Sequence, residues 1–159
     1  MRWNDLNEES CPVARGLSVI GDRWTMLVLR DCFQGVRRFD AFQKRLGITR
    51  HVLADRLRKL ESAGVLERKQ YQERPPRYEY RLTEKGRDLW AVIIALKQWG
   101  DRWLGTDDTP VQITHKACGK VVRPHMTCPD CGERIEAHDA EAQLSHTFEL
   151  ERQAARRAP

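Results

Sequence analysis

Residues 47–64 read GITRHVLADRLRKLESAG, and the fold turns on how they are read. Gly47–Ile48–Thr49 makes a compact turn, and Thr49 is a good N-cap because its hydroxyl accepts one of the free backbone N–H groups of a first helical turn. The helix it opens runs to about Ala63, with Gly64 just past its end. At roughly 100° per residue, Leu53, Leu57 and Leu60 fall on one side and His51, Asp55, Arg58 and Ser62 on the other, flanked by Arg50 and Lys59. Arginine reads guanine edges bidentately and a carboxylate accepts from cytosine, so the charged side has the chemistry of base readout. Arg50, His51 and Asp55 would reach deepest into a groove, while Arg58 and Lys59 suit backbone phosphates. A core helix with a solvated charged face would carry the same residue types. What separates the two readings lies in the flanks.

Upstream, Pro12 fits a first helical position, where its missing N–H is harmless. Val13, Leu17 and Ile20 form an apolar stripe that Gly21 stops. Asp22 caps a second helix carrying Trp24, Leu27, Val28 and residues 31–33, which Gly35 ends. A short extended piece at Val36–Arg38 brings Arg37 and Arg38 onto the basic surface and leads to a third helix, Phe39 to Leu46. Downstream, Val65–Tyr71 and Arg77–Leu82 alternate as two strands around the tip Glu73–Arg74–Pro75–Pro76. This ribbon carries Arg68, Lys69, Arg74, Arg77 and Arg81, with Tyr78 and Tyr80 on its apolar face and Arg77 and Arg81 on the other. Arg74 and Arg77 near a rigid tip suit a minor groove or its phosphates. The order predicts an α+β winged helix-turn-helix with flanking helices over residues 1–104.

Thr83 caps one long helix, Glu84 to about Leu104. Its Leu89, Trp90, Val92, Ile93, Ile94, Leu96, Trp99 and Trp103 cover more than one core would use. A second copy is the simplest partner, and a homodimer would set two reading helices about one DNA turn apart on a palindromic operator.

Charge agrees with a polyanionic partner. The 159-residue chain has 28 Lys and Arg against 23 Asp and Glu, and 15 of the basic residues but only 7 of the acidic ones lie in 37–87. No apolar run approaches the roughly 18 residues of a spanning helix, so no membrane partner is expected. The polar, acidic start MRWNDLNEESCPV is unlike a secretory signal, which points to a cytoplasmic, nucleoid-associated protein. No Ser/His/Asp or Cys/His nucleophile pattern is present, and no enzyme activity is expected.

Cys11–Pro12, Gly-Asp-Arg-Trp at 21–24, Arg38–Phe39, Arg-Leu-Arg-Lys-Leu at 56–60, Pro-Pro-Arg-Tyr-Glu-Tyr at 75–80 and Leu-Thr-Glu-Lys-Gly at 82–86 together resemble the HxlR-type regulators of the MarR-like superfamily over about residues 11–104. The resemblance implies a dimeric bacterial transcription factor, with repression the expected direction. The alternative is a non-specific architectural protein on double-stranded DNA, which would bind all sequences alike with a steep salt slope.

Cys11 stands at a helix start, where backbone N–H groups and the helix dipole favour a thiolate, with Arg15 one turn on. Such a thiol would receive oxidants or electrophiles, and the resemblance implies the same use of a cysteine here. An idle half-buried cap is the alternative. A small aromatic effector between Trp24, Phe33 and Trp99 is another input. Cys32, in an apolar helix, reads as core.

Behind a polar hinge at 105–110, residues 111–138 hold His115-Lys-Ala-Cys118-Gly and Cys128-Pro-Asp-Cys131-Gly. Each pair is spaced by two residues and followed by glycine, the pattern of two facing knuckles around one ion. One imidazole and three thiolates fill a tetrahedron, so a structural zinc in a ribbon-like module is expected, as a staple for a unit too small for a core. His125 or His138 competes for the place of His115. The charged tail, 139–159, is either an amphipathic helix through Leu144, Phe148 and Leu150 or disordered.

Overall fold

The computed structural model describes residues 6–7, 9–105 and 110–157, with the backbone alone for 155–157. The expected hinge at 105–110 falls largely on residues 106–109, outside the described residues, as do the last two residues of the tail. The chain divides into two compact units, residues 1–97 and 98–159.

The first unit runs α1 (Pro12–Ile20), α2 (Arg23–Phe33), α3 (Phe39–Leu46), α4 (Arg50–Ser62), β1 (Leu66–Gln72), β2 (Arg77–Leu82), α5 (Glu84–Asp88) and α6 (Trp90–Trp103), whose last turns pass into the second unit. The helices start and stop for legible reasons. Pro12 opens α1. The Asp22 carboxylate accepts the Trp24 and Thr25 N–H groups at 3.0 and 3.1 Å and so caps α2. Gly35, at φ 84°, turns the chain out of that helix. Gly47 closes α3 in the left-handed region at φ 63°, which costs glycine nothing, and Thr49 Oγ1 caps α4 by accepting from Val52 N at 3.4 Å. Between them Ile48 is buried and pins the turn to the core.

The core joins Val28 and Leu29 of α2, Phe42 of α3, Leu53, Leu57 and Leu60 of α4, and Val65 and Leu66 at the base of the ribbon. The three α4 leucines are fully buried, and each contributes roughly 1.5–3 kcal/mol relative to exposure. β1 and β2 pair antiparallel from Leu66↔Leu82 to Gln72↔Arg77, with a bulge between Gln70 and Gln72. The extended piece before α3 joins this ribbon, through an Arg38↔Glu79 bridge and a Tyr80 N–H donated to Arg37 O at 2.8 Å.

The long helix expected over Glu84–Leu104 is two helices. Leu89 separates them, its N–H reaching back three residues to Gly86 O at 3.3 Å, and that tightening closes α5. The segment 83–87 is tied to the ribbon base. Thr83 Oγ1 donates to Gly64 O at 2.6 Å, Lys85 Nζ to Ala63 O at 2.7 Å, and Arg87 Nη1 to Leu82 O at 3.1 Å. Gly86 lies so close that a Cβ there would stand 2.1 Å from Val65 O.

In the second unit β3 (Ile113–Thr114) and β4 (Val121–Val122) pair antiparallel, and Thr127 bridges Arg134. Gln98 Nε2 donates to Pro124 O at 2.7 Å. The tail forms α7 (His146–Arg157), whose first turn donates Phe148 N–H to Ser145 Oγ at 3.3 Å. Leu144 precedes this helix rather than belonging to it, and both Leu144 and Leu150 are exposed.

Candidate nucleic-acid interface

α4 turns its charged side outward as its periodicity requires. His51, Asp55, Arg58 and Ser62 are exposed opposite the three buried leucines, Arg50 and Thr49 are exposed at the N-terminal end, and Lys59 is half-buried. Within this set the side chains are differently engaged. Arg50 stacks 4.8 Å from the Phe39 ring centroid, which pre-orders its guanidinium. Asp55 accepts from Arg56 Nη1 at 2.9 Å through Oδ2, which leaves Oδ1 as the acceptor toward a base. His51 and Arg58 have no such partner among the described residues.

Arg56 received no role from its sequence position alone, yet it links two elements. Its Nε lies 2.8 Å from Asp22 Oδ1, the same oxygen that caps α2, while Nη1 holds Asp55. The Nε contact is an ion pair without hydrogen-bond alignment. Burial works to raise the Asp22 pKa. The Thr25 N–H, the Arg56 charge, the Trp24 N–H and the Thr25 hydroxyl together outweigh it and hold the carboxyl below its ordinary 3.8. A second acid missed by the periodicity is Asp31. It is fully buried on α2, where Oδ1 accepts from Arg30 Nε at 3.0 Å and Nη2 at 2.9 Å, and Arg45 Nε stands 3.6 Å from Oδ2. A carboxylate inside the run Leu29-Arg30-Asp31-Cys32-Phe33 was the available signal.

The ribbon presents Arg74 and Arg77 exposed at its tip. Arg68 packs over Tyr78 at 3.6 Å and Arg38 over Tyr71 at 4.6 Å. Arg81 is paired with Glu79, which removes it from the free cations of the wing. Arg37 is exposed beside Arg38, and both line an open cleft of about 520 Å³ with Gln34, Gly35, Val36, Ala41, Arg45 and Glu79. That lining includes neither Trp24 nor Phe33, which are half-buried; Trp99 is 54% exposed.

Cys11 is the N-cap of α1, half-buried, with no hydrogen bond from its side chain to the cap and Arg15 N–H donated to its carbonyl at 3.1 Å. Cys32 packs against the core, and burial, aided by the Asp31 charge, pushes its thiol up to about 12. A thiol so raised is a poor nucleophile at neutral pH.

Of the four expected metal ligands, the structure brings His115 and Cys118 together, Nδ1 to Sγ 3.3 Å, and sets Cys128 beside Cys131. The backbone N–H groups of Cys131 and Asp130 and the Cys131 side chain hold the Cys128 thiol below its ordinary value. Among the described residues no three His, Cys, Asp or Glu side chains are grouped for one ion. Of the competing histidines, His138 Nε2 lies 3.4 Å from Asp139 Oδ1, while His125 is exposed. No helix among the described residues is long and apolar enough to cross a membrane.

Comparison with known proteins matches residues 19–108 to the HxlR-like helix-turn-helix family. An HTH-type transcriptional regulator of Mycobacterium tuberculosis, Rv3095, is 46% identical over 142 residues, which cover 87% of this chain and 90% of the relative. The crystal structure of PA1607, a candidate transcription factor, superposes with a TM-score of 0.77 at 40% identity and covers 87% of this chain and 98% of that one. The redox regulator HypR, solved in its oxidised form, gives a TM-score of 0.54 at 38% identity over 58% of this chain and 96% of its own. An alignment of 142 residues is longer than the 19–108 match, so likeness to Rv3095 extends beyond it.

Proposed function

The chain belongs to the HxlR-like helix-turn-helix family of transcriptional regulators, and from that premise we propose that it works as a homodimeric repressor on a palindromic operator, acting on chromosomal DNA in the bacterial cytoplasm and released by oxidants or electrophiles. The observation that carries the DNA reading is α4. A capped helix with three fully buried leucines holds Arg50, His51, Asp55 and Arg58 outward on a rigid base, and a basic ribbon follows it. α4 enters the major groove with Arg50, His51 and Asp55 toward base edges. Arg58, Lys59, Arg37, Arg38, Arg74 and Arg77 grip phosphates, and Thr49 fixes the entry of the helix.

The dimer is supported by apolar side chains that the single chain leaves in water: Val13 on α1, 69% exposed, and Trp90, Val92, Leu96, Trp99 and Trp103 on α6. Two helices held by a symmetric contact read two half-sites, which is why the operator is an inverted repeat. The sensing reading rests on Cys11 at a helix N-terminus and on the likeness to HypR, a redox regulator.

Selection of bound fragments from sheared host DNA, with and without reductant, tests the whole reading. A few enriched promoters sharing a short inverted repeat are expected, with the enrichment lost under peroxide or quinone in the wild type and kept in Cys11→Ser. Even coverage of the genome would mean that the basic surface grips backbone alone. Release of Cys11→Ser like the wild type would remove Cys11 as the switch.

A further inference from the structure

Two hairpin turns in the second unit are built alike. In one, His115 N–H donates to Lys120 O at 2.9 Å and Gly119 N–H to His115 O at 2.8 Å. In the other, Cys128 N–H donates to Glu133 O at 2.8 Å and Gly132 N–H to Cys128 O at 2.9 Å. The glycines close both turns in the left-handed region, at φ 69° and 76°. At the same two positions of each turn stand His115 with Cys118 and Cys128 with Cys131. Nothing else in the sequence of the two turns is shared, so the repeated feature is a backbone that aims two soft donors to one side.

The surroundings ask for a staple. Among the described residues of the second unit, no side chain is buried; Val121 and Met126 are 59% and 72% exposed. Ladders of two residues do not hold such a segment by themselves.

We propose that the second unit is a structural zinc site, in which Nδ1 of His115 and the sulfurs of Cys118, Cys128 and Cys131 bind one Zn(II) in a closed tetrahedron. The nitrogen is Nδ1 because that atom faces Cys118 Sγ. Each thiol gives its proton to solvent as its sulfur binds, and the imidazole binds as the neutral base. The structure forms each pair but does not group three of these ligands, so the two pairs must close on the ion, and closure of the unit is coupled to metal binding. With four protein ligands no open position is left for a reacting water.

The full chain, purified with reductant and without chelator, is assayed for zinc by mass spectrometry and reconstituted with Co(II) for its visible spectrum. One zinc per chain is expected, with a tetrahedral cobalt spectrum of three sulfurs and one nitrogen. Cys128→Ser should lose the metal. His115→Cys should keep it and shift the cobalt spectrum to that of four sulfurs, an outcome a misfolded unit cannot give. His125→Ala and His138→Ala should change neither stoichiometry nor spectrum. Zinc well below one per chain, an octahedral cobalt spectrum, metal retained unchanged in Cys128→Ser, or metal lost in His125→Ala or His138→Ala would each overturn the site. Bound metal is the readout, so the result stands apart from that of the DNA selection.

Discussion

Asp22 does two jobs with one oxygen, capping α2 and pairing with Arg56 of α4. Its carboxyl is held below the ordinary 3.8, so the stability it supplies is complete above about pH 5, where the unfolded carboxyl is also ionised, and is lost as pH falls through the lower folded value. Asp22→Asn keeps a good cap but cannot pair with Arg56. Its unfolding curve should therefore be flatter than the wild type's between about pH 2 and 5, as measured by denaturant titration at several pH values. Gly86 gives a prediction of the opposite kind, about space. A Cβ there meets Val65 O at 2.1 Å, and a backbone carbonyl fixed at the ribbon base cannot swing away. Gly86→Ala should lower stability by about 1–3 kcal/mol, although alanine is the better helix former, and a denaturation midpoint reads it directly. The Asp22 cap was legible in the sequence, whereas its pairing with Arg56 and the close fit at Gly86 were not. Periodicity reports which face of a helix a residue occupies and is silent about which distant carbonyl or carboxylate faces it.

At the scale of elements the sequence was more informative. α3, α4 and β2 lie where the capping residues and the alternation put them, because Thr49, Gly47 and Gly64 act through local geometry that needs no tertiary partner. The break at Leu89 was not legible. It depends on residues 83–87 being tied to the ribbon base by contacts about twenty residues away in sequence. The same limit applies to the interface. The outward face of α4 was readable, but the pairing of Asp55 with Arg56 and of Arg81 with Glu79 was not. Arg50 and Arg77 should therefore separate two kinds of contact. Arg50→Ala should cost about 1–3 kcal/mol on the operator and relax the preference at one base pair. Arg77→Ala should weaken operator and unrelated DNA equally and reduce the slope of log affinity against log salt by about one. Titrations on both DNAs at several salt concentrations distinguish them.

On the scale of the whole molecule, two units answer to different physics. The first owes its fold to a buried cluster that α2, α3, α4 and the ribbon base share, so Leu57→Ala should cost about 2–5 kcal/mol, read as a lowered unfolding midpoint. The second has hairpins and a helix but no buried side chain among its described residues. The difference was foreseeable in outline, since clustered Cys and His in a stretch poor in aliphatic residues mark a segment that cannot fold on apolar burial alone. Three of the five tryptophans, Trp90, Trp99 and Trp103, stand exposed along α6. Indole emission is red-shifted in water and moves to the blue when a ring is covered. The helix proposed as the dimer contact thus carries its own optical label, and a simple dilution series in a fluorimeter, with no dye attached, tests that proposal: emission should move to the blue as the concentration rises.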